Sequence, residues 1–225
     1  MKKIFLLLAC GVFALGTSAQ RARSSSTTFF SVERSNEPIT FGITTGLSFA
    51  NVSLGYDDED GTETVSTDSR TSFNLGLTVD IPLVESMYIK TGLLYSSKGF
   101  VKETDYRKET VSPAYLEIPL LASYRFDFSD YTQLQFNIGP YFAYGIGGKW
   151  KSERIDYNDS DEIDYFDEET GTNRFDAGLQ IGAGLTFSDH YYVGIGYQWG
   201  LANGASEDGV NLKNRNFMIN VAYQF

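Results

Sequence analysis

A two-residue alternation that recurs eight times, with glycine and small polar residues on the face opposite the apolar one, constrains this chain more than any other feature. Phe41, Ile43, Thr45, Leu47 and Phe49 alternate with Gly42, Thr44, Gly46 and Ser48. Successive side chains of a β-strand point to opposite faces, so such a run reads as a strand with one apolar side. Seven further runs follow the same rule: Phe73 to Ile81, Met87 to Tyr95, Ala114 to Phe126, Leu134 to Tyr144, Phe175 to Phe187, Tyr191 to Leu201 and Phe217 to Phe225.

The polar face decides which side meets solvent. In the sixth run it is Asp176, Gly178, Gln180, Gly182, Gly184 and Thr186, and in the seventh Tyr192, Gly194, Gly196, Gln198 and Gly200. A soluble lipocalin-like barrel alternates too, but turns a face rich in charge to water. Glycine and small polar residues suit a narrow, crowded lumen instead, with the apolar face toward lipid. The expected fold is all-β, an eight-stranded antiparallel up-and-down transmembrane β-barrel.

Connection lengths alternate as such a barrel requires. The turns 82–86, 127–130 and 188–190 are short, whereas 51–70, 99–112, 147–173 and 202–214 are long. Short turns belong on the periplasmic side and long loops outside. Tyr88, Phe126, Phe128, Tyr131, Phe187, Tyr191 and Phe225 are the expected periplasmic aromatic girdle, and Phe49, Tyr95, Tyr144, Trp150, Phe175 and Trp199 the outer one.

The N-terminus fits export. Lys2 and Lys3 precede an apolar stretch from Ile4 to Leu15, and Thr17-Ser18-Ala19 supplies small residues for cleavage, so residues 1–19 read as a signal peptide. Its loss removes Cys10, the single cysteine, and with it disulfide and thiolate chemistry. Residues 20–38 read as a flexible periplasmic lead-in and 39–225 as the barrel. The formal charge of −11 becomes −13 when Lys2 and Lys3 leave, which argues against nucleic acid as a partner.

The segment Phe217-Met218-Ile219-Asn220-Val221-Ala222-Tyr223-Gln224-Phe225 resembles the terminal signal of outer-membrane barrels, which implies recognition by the barrel-assembly machinery. Tyr115-Leu116-Glu117-Ile118-Pro119-Leu120-Leu121, Gly139-Pro140-Tyr141, Gly46-Leu47-Ser48 and Leu93-Leu94-Tyr95-Ser96-Ser97-Lys98-Gly99 resemble the PorT-like outer membrane β-barrel family, over about residues 40–225. The resemblance implies the fold and an outer-membrane location. Its motifs are structural, so the secretion role of the family's named member is not carried over. Pro119 and Pro140 fall inside strands, where proline removes a ladder donor, and bulges are expected near both.

Three function classes remain: a structural or interaction barrel docking an unknown protein partner, which is favoured, a small-solute pore, and a lipid-modifying enzyme. No catalytic residue and no cofactor site is read from the sequence. The single histidine, His190, falls in an expected turn, and no serine is spaced to form a dyad with it. Outer membrane lipid is the remaining partner. In the lumen, Asp80, Lys90, Glu117, Arg125 and Asp176 occupy polar-face positions, and buried charges need partners. Glu117 is expected to pair with Lys90 or Arg125.

The third long loop concentrates acid. Asp156, Asn158, Ser160, Glu162, Asp164 and Asp167 fall at the ligand spacing of a calcium loop, although Asp161 stands at the glycine position and Asp167 replaces the bidentate glutamate. Two readings stay open: a solvated acidic surface, or a weak calcium site.

Overall fold

The computed structural model describes residues 37–58, 61–104, 106–154, 159–167, 172–205 and 210–225. The expected signal peptide and all of the lead-in except Glu37 and Pro38 lie outside them.

The chain runs β1 (Thr40–Asp58), β2 (Gly61–Ser66), β3 (Asp68–Val84), β4 (Met87–Ser97), β5 (Phe100–Thr104), β6 (Arg107–Ser129), β7 (Thr132–Arg154), β8 (Asp159–Asp164), β9 (Phe175–Phe187), β10 (Tyr191–Gly200) and β11 (Val210–Gln224). Eight of these close a ring in the order β1, β3, β4, β6, β7, β9, β10, β11, every neighbour antiparallel. Closure is made by β11 on β1, from Gly42 opposite Gln224 to Tyr56 opposite Val210. A closed ring has no edge, so the ladder satisfies its backbone without water.

Three ring connections, β3 to β4, β6 to β7 and β9 to β10, are tight turns at one end. Ser86 reverses the chain between β3 and β4 with a positive φ of 64°, and Ser188 and Asp189 do so between β9 and β10 with 50° and 61°. At the other end the strands run on. β6 and β7 are 23 residues each, where about 9–11 cross a bilayer. The short strands β2, β5 and β8 pair with these extensions, so three of the long loops are built largely as hairpins.

Side-chain exposure follows the alternation. Leu77, Ile138 and Ile195 stand outward and exposed, while Ser48, Asn74, Gln135, Gln198 and Asn216 point inward and are almost fully buried. Polar groups inside and apolar groups outside invert the arrangement of a soluble protein.

Pro119 and Pro140 do not produce the expected bulges. The β6·β7 ladder skips Leu120 and Leu121 opposite Pro140 and Gly139, yet keeps the same register on either side. The β4·β6 ladder likewise skips from Thr91–Leu120 to Leu94–Glu117, and the Thr91 hydroxyl donates to the Pro119 carbonyl at 2.8 Å. Losing a few ladder bonds leaves each strand's facing intact, which a bulge would invert. The bulge in this part of the sheet lies next to Pro113: Ala114 opposes Gly147 and Tyr115 opposes Gly145, so Ile146 is the extra residue.

That extra residue corrects one girdle assignment. Beyond it the two faces of β7 exchange, so Trp150 packs against the interior cluster instead of facing lipid. Tyr88 is also corrected: it is 8 % exposed and points into the lumen, with the Arg125 guanidinium 4.0 Å above its ring. The other assigned girdle residues Phe126, Phe128, Tyr131, Phe187, Tyr191, Phe225, Tyr144, Phe175 and Trp199 are outward and exposed.

Candidate functional site

The lumen is the site the fold positions, and side chains fill it in layers. Near the short turns Asp80 is the hub. Its Oδ2 accepts from Arg125 Nη2 at 2.5 Å and from Gln224 Nε2 at 2.7 Å, and its Oδ1 lies 3.6 Å from Lys90 Nζ. Below this cluster the Tyr88 hydroxyl donates to Glu37, tying the chain three residues before β1 to the mouth. Lys90 also lies 4.8 Å from the centre of the Tyr192 ring.

Around the ion clusters the filling is neutral. Asn74 Nδ2 donates to Ser48 Oγ at 3.1 Å and to Asn220 Oδ1 at 2.9 Å, and Gln135 Nε2 donates to Asn137 Oδ1 at 2.7 Å. A cavity of about 60 Å³ is left between Thr44, Thr78, Lys90, Asn137, Gln180 and Tyr192. This is room for a few waters.

Toward the hairpins Lys98 is fully buried between two carboxylates, 3.0 Å from Glu117 Oε2 and 3.1 Å from Asp176 Oδ2. Its ammonium lies 4.3 Å from the centre of the Tyr141 ring and 5.4 Å from that of Tyr115. Gln198 Nε2 donates to Glu117 Oε1 at 2.5 Å and to Gln180 Oε1 at 2.9 Å, and Asn216 Nδ2 donates to Gln198 Oε1 at 3.3 Å. Lys98 is steered inward by the turn after β4: its N–H donates to the Pro113 carbonyl at 3.0 Å, and Gly99 follows at φ 119°. Only glycine adopts that φ without strain.

Above this triad the lumen is capped by apolar side chains. Tyr165 and Phe166, just after β8, turn inward against Val52, Phe100, Val111, Tyr115, Tyr141 and Ala143. The Phe166 ring meets Tyr115 edge-on at 5.7 Å, and it lies so close to Gly145 that a Cβ there would be 2.2 Å from a ring carbon. Arg174 holds the turn, donating to the Gly145 carbonyl at 3.2 Å and the Phe166 carbonyl at 3.1 Å, while the Tyr165 N–H donates to the Gly148 carbonyl at 3.0 Å.

All five lumen charges expected from the alternation face inward, but the expected partners of Glu117 are corrected. Glu117 stands level with Leu94 on β4, four positions from Lys90, or about 13 Å along the strand. Lys90 and Arg125 meet Asp80 instead, and Lys98 takes Glu117. The lumen residues not singled out from sequence are Lys98, Tyr141 and the cap Tyr165–Phe166, whereas Gln198 lies on the polar face expected for the seventh run. Continuing the period of β4 from Lys90 through Gly92, Leu94 and Ser96 reaches Lys98, so that signal was present.

The candidate calcium residues are divided. Asp156 and Asn158 lie outside the described residues. Ser160, Glu162 and Asp164 lie on β8, which runs as a ladder with β7, Glu153 opposite Ser160 and Lys149 opposite Asp164. Glu162 accepts from Lys149, and that hydrogen bond raises the lysine pKa above its ordinary value. Asp167 follows the cap. Among the described residues no group of three or more His, Cys, Asp or Glu is arranged to hold a metal. His190 lies in the β9–β10 turn, its ring edge-on to Tyr223 at 5.7 Å.

Residues 19–205 match the family described as outer membrane protein beta-barrel domain. No curated protein matches the sequence. Among solved structures the chain is similar to the attachment invasion locus protein Ail of Yersinia pestis, at 16% identity over 83% of this chain and 98% of that one, TM-score 0.38. It is also similar to Neisserial surface protein A, at 11% identity over 84% and 100%, TM-score 0.44. A third is OprG of Pseudomonas aeruginosa, at 16% identity over 83% and 95%, TM-score 0.42.

Proposed function

Given that the chain belongs to the outer membrane protein beta-barrel domain family, we propose that it acts as a closed, non-conducting barrel of the outer membrane that presents its acidic hairpins outward and docks a protein partner. The observation that carries this reading is the filled lumen. Two ion clusters, buried neutral amides and the Tyr165–Phe166 cap occupy it, and a cavity left among these side chains is about 60 Å³. An eight-stranded interior is wide enough only for its own side chains. In this reading the pore is disfavoured because any solute would have to break a buried ion triad.

Within the family we read the kinship as PorT-like, on the motifs Tyr115 to Leu121 and Gly139 to Tyr141. Both line the lumen through Glu117 and Tyr141, which supports a role in holding the interior. Export with cleavage after Ala19 belongs to the same reading, as does a role without catalysis: the lumen carboxylates are engaged by Lys98, Arg125 and Lys90, and His190 lies in a turn.

Planar-bilayer recording tests the proposal. Purified, refolded protein is expected to give no steady conductance. A reproducible open channel from pure protein would overturn it in favour of the pore.

A further inference from the structure

We propose that Lys213 and Arg215, on the outward face of β11, bind the phosphate of an anionic lipid headgroup in the leaflet on the hairpin side of the membrane.

Both residues lie at the height of the headgroups. Outward positions of β11 run Phe217, Ile219, Val221, Tyr223 and Phe225, all exposed. Those nine residues match the length a tilted strand needs to cross the hydrocarbon, about 9–11 residues. Arg215 is the next outward position beyond the apolar band, and Lys213 the one after it, about 7 Å further along the strand. Both side chains are exposed, and they share the face of Phe217. On the neighbouring strands the same level is marked by aromatic residues. Arg215 is opposite Trp199 on β10, and Phe217 is opposite Phe49 on β1 with the two rings 6.2 Å apart. Aromatic residues at the edge of the apolar band mark the headgroup region.

Their charge is unmatched by their cross-strand partners. Other lysines on the hairpins face acid: Lys108 pairs with Glu103, Lys149 with Glu162 and Lys151 with Glu153, and Lys102 stands opposite Glu109. Lys213 and Arg215 stand opposite Ser53 and Asn51 on β1, and Arg215 opposite Trp199 on β10, all uncharged. Neither makes an ion pair among the described residues. Two cations two positions apart repel each other, and in a protein of net charge −11 their cross-strand partners among the described residues carry no carboxylate. Arg presents a planar fork that matches phosphate, and Lys adds a second point charge. Basic residues near a charged bilayer surface each contribute about fivefold in lipid association.

Trp199 is the reporter. A Trp150→Phe protein, with Trp199 as its remaining tryptophan, is reconstituted with phosphatidylglycerol or phosphatidylcholine carrying brominated acyl chains, and quenching gives the relative association constant of the two lipids. The expected preference for the anionic lipid is about fivefold or more. It should fall to near one in W150F/K213Q/R215Q, stay unchanged in W150F/K149Q/K151Q, and shrink with added salt. Inorganic phosphate at constant ionic strength should leave it unchanged. No preference in W150F, or an undiminished one after both glutamine substitutions, overturns the proposal, as does loss of the preference to free phosphate. Heat-dependent gel mobility confirms folding of each variant, and bilayer conductance does not depend on the outcome.

Discussion

Lys98→Met removes one charge from the buried triad and keeps an unbranched side chain of similar length. Lys98 has no exposed surface, and its two carboxylates lie at 3.0 and 3.1 Å beneath the Tyr165–Phe166 cap. Glu117 would keep one amide donor, Gln198, and Asp176 the Tyr141 hydroxyl at 3.4 Å. Breaking a buried ion pair on one side costs about 3–5 kcal/mol, because charge is left without its partner. Equilibrium unfolding in urea, in detergent micelles and followed by tryptophan fluorescence, should show a loss of that size. Replacing the whole triad, K98M/E117Q/D176N, should recover most of it, since neutral groups of similar shape need no cation. K98M within about 1 kcal/mol of the parent would refute the argument, because a triad worth so little is not holding the interior. A triple variant less stable than K98M would also count against it.

Arg125→Met should be milder, about 1–3 kcal/mol in the same assay, because Asp80 keeps Gln224 at 2.7 Å and Lys90 at 3.6 Å. A loss equal to that of K98M would mean that Lys90 does not compensate. Gly99→Ala should cost about 2 kcal/mol or more, since φ is 119° and a Cβ would sit 2.0 Å from the Val111 carbonyl oxygen. An alanine variant of parental stability would show that the turn after β4 relaxes freely.

What was legible in the sequence was the part governed by period two. The eight runs became the eight ring strands because lipid outside and a crowded lumen inside enforce the same alternation everywhere. Departures arose where geometry intervened between sequence and facing. Trp150 continues the outward period of Tyr144 in the sequence, but the single extra residue at Ile146 exchanges the faces beyond it. The partner of Glu117 is not legible in the sequence, because the alternation fixes which side a residue faces but not its height, which depends on cross-strand register. Lys98 is masked in the sequence because the apolar side of β4 fades at Tyr95, although the polar side continues. The cap could not be read at all. Tyr165 and Phe166 follow an acidic strand, and nothing local signals that they turn inward to cover Tyr115 and Tyr141.

Spin labelling on the outward face tests the central claim most directly, that apolar residues of the ring face lipid around a filled interior. Single cysteines at Ile43, Ile195 and Ile219, in protein carrying Cys10→Ser, are labelled and reconstituted into bilayers. Their collision rates with oxygen and with a water-soluble nickel chelate are then compared with those of a label at Ile163, which is exposed on the β8 hairpin. High oxygen and low nickel access at the three ring positions, with the reverse at Ile163, is the predicted result. Nickel access at Ile195 and Ile219 as high as at Ile163 would contradict it, since those faces would then lie against water.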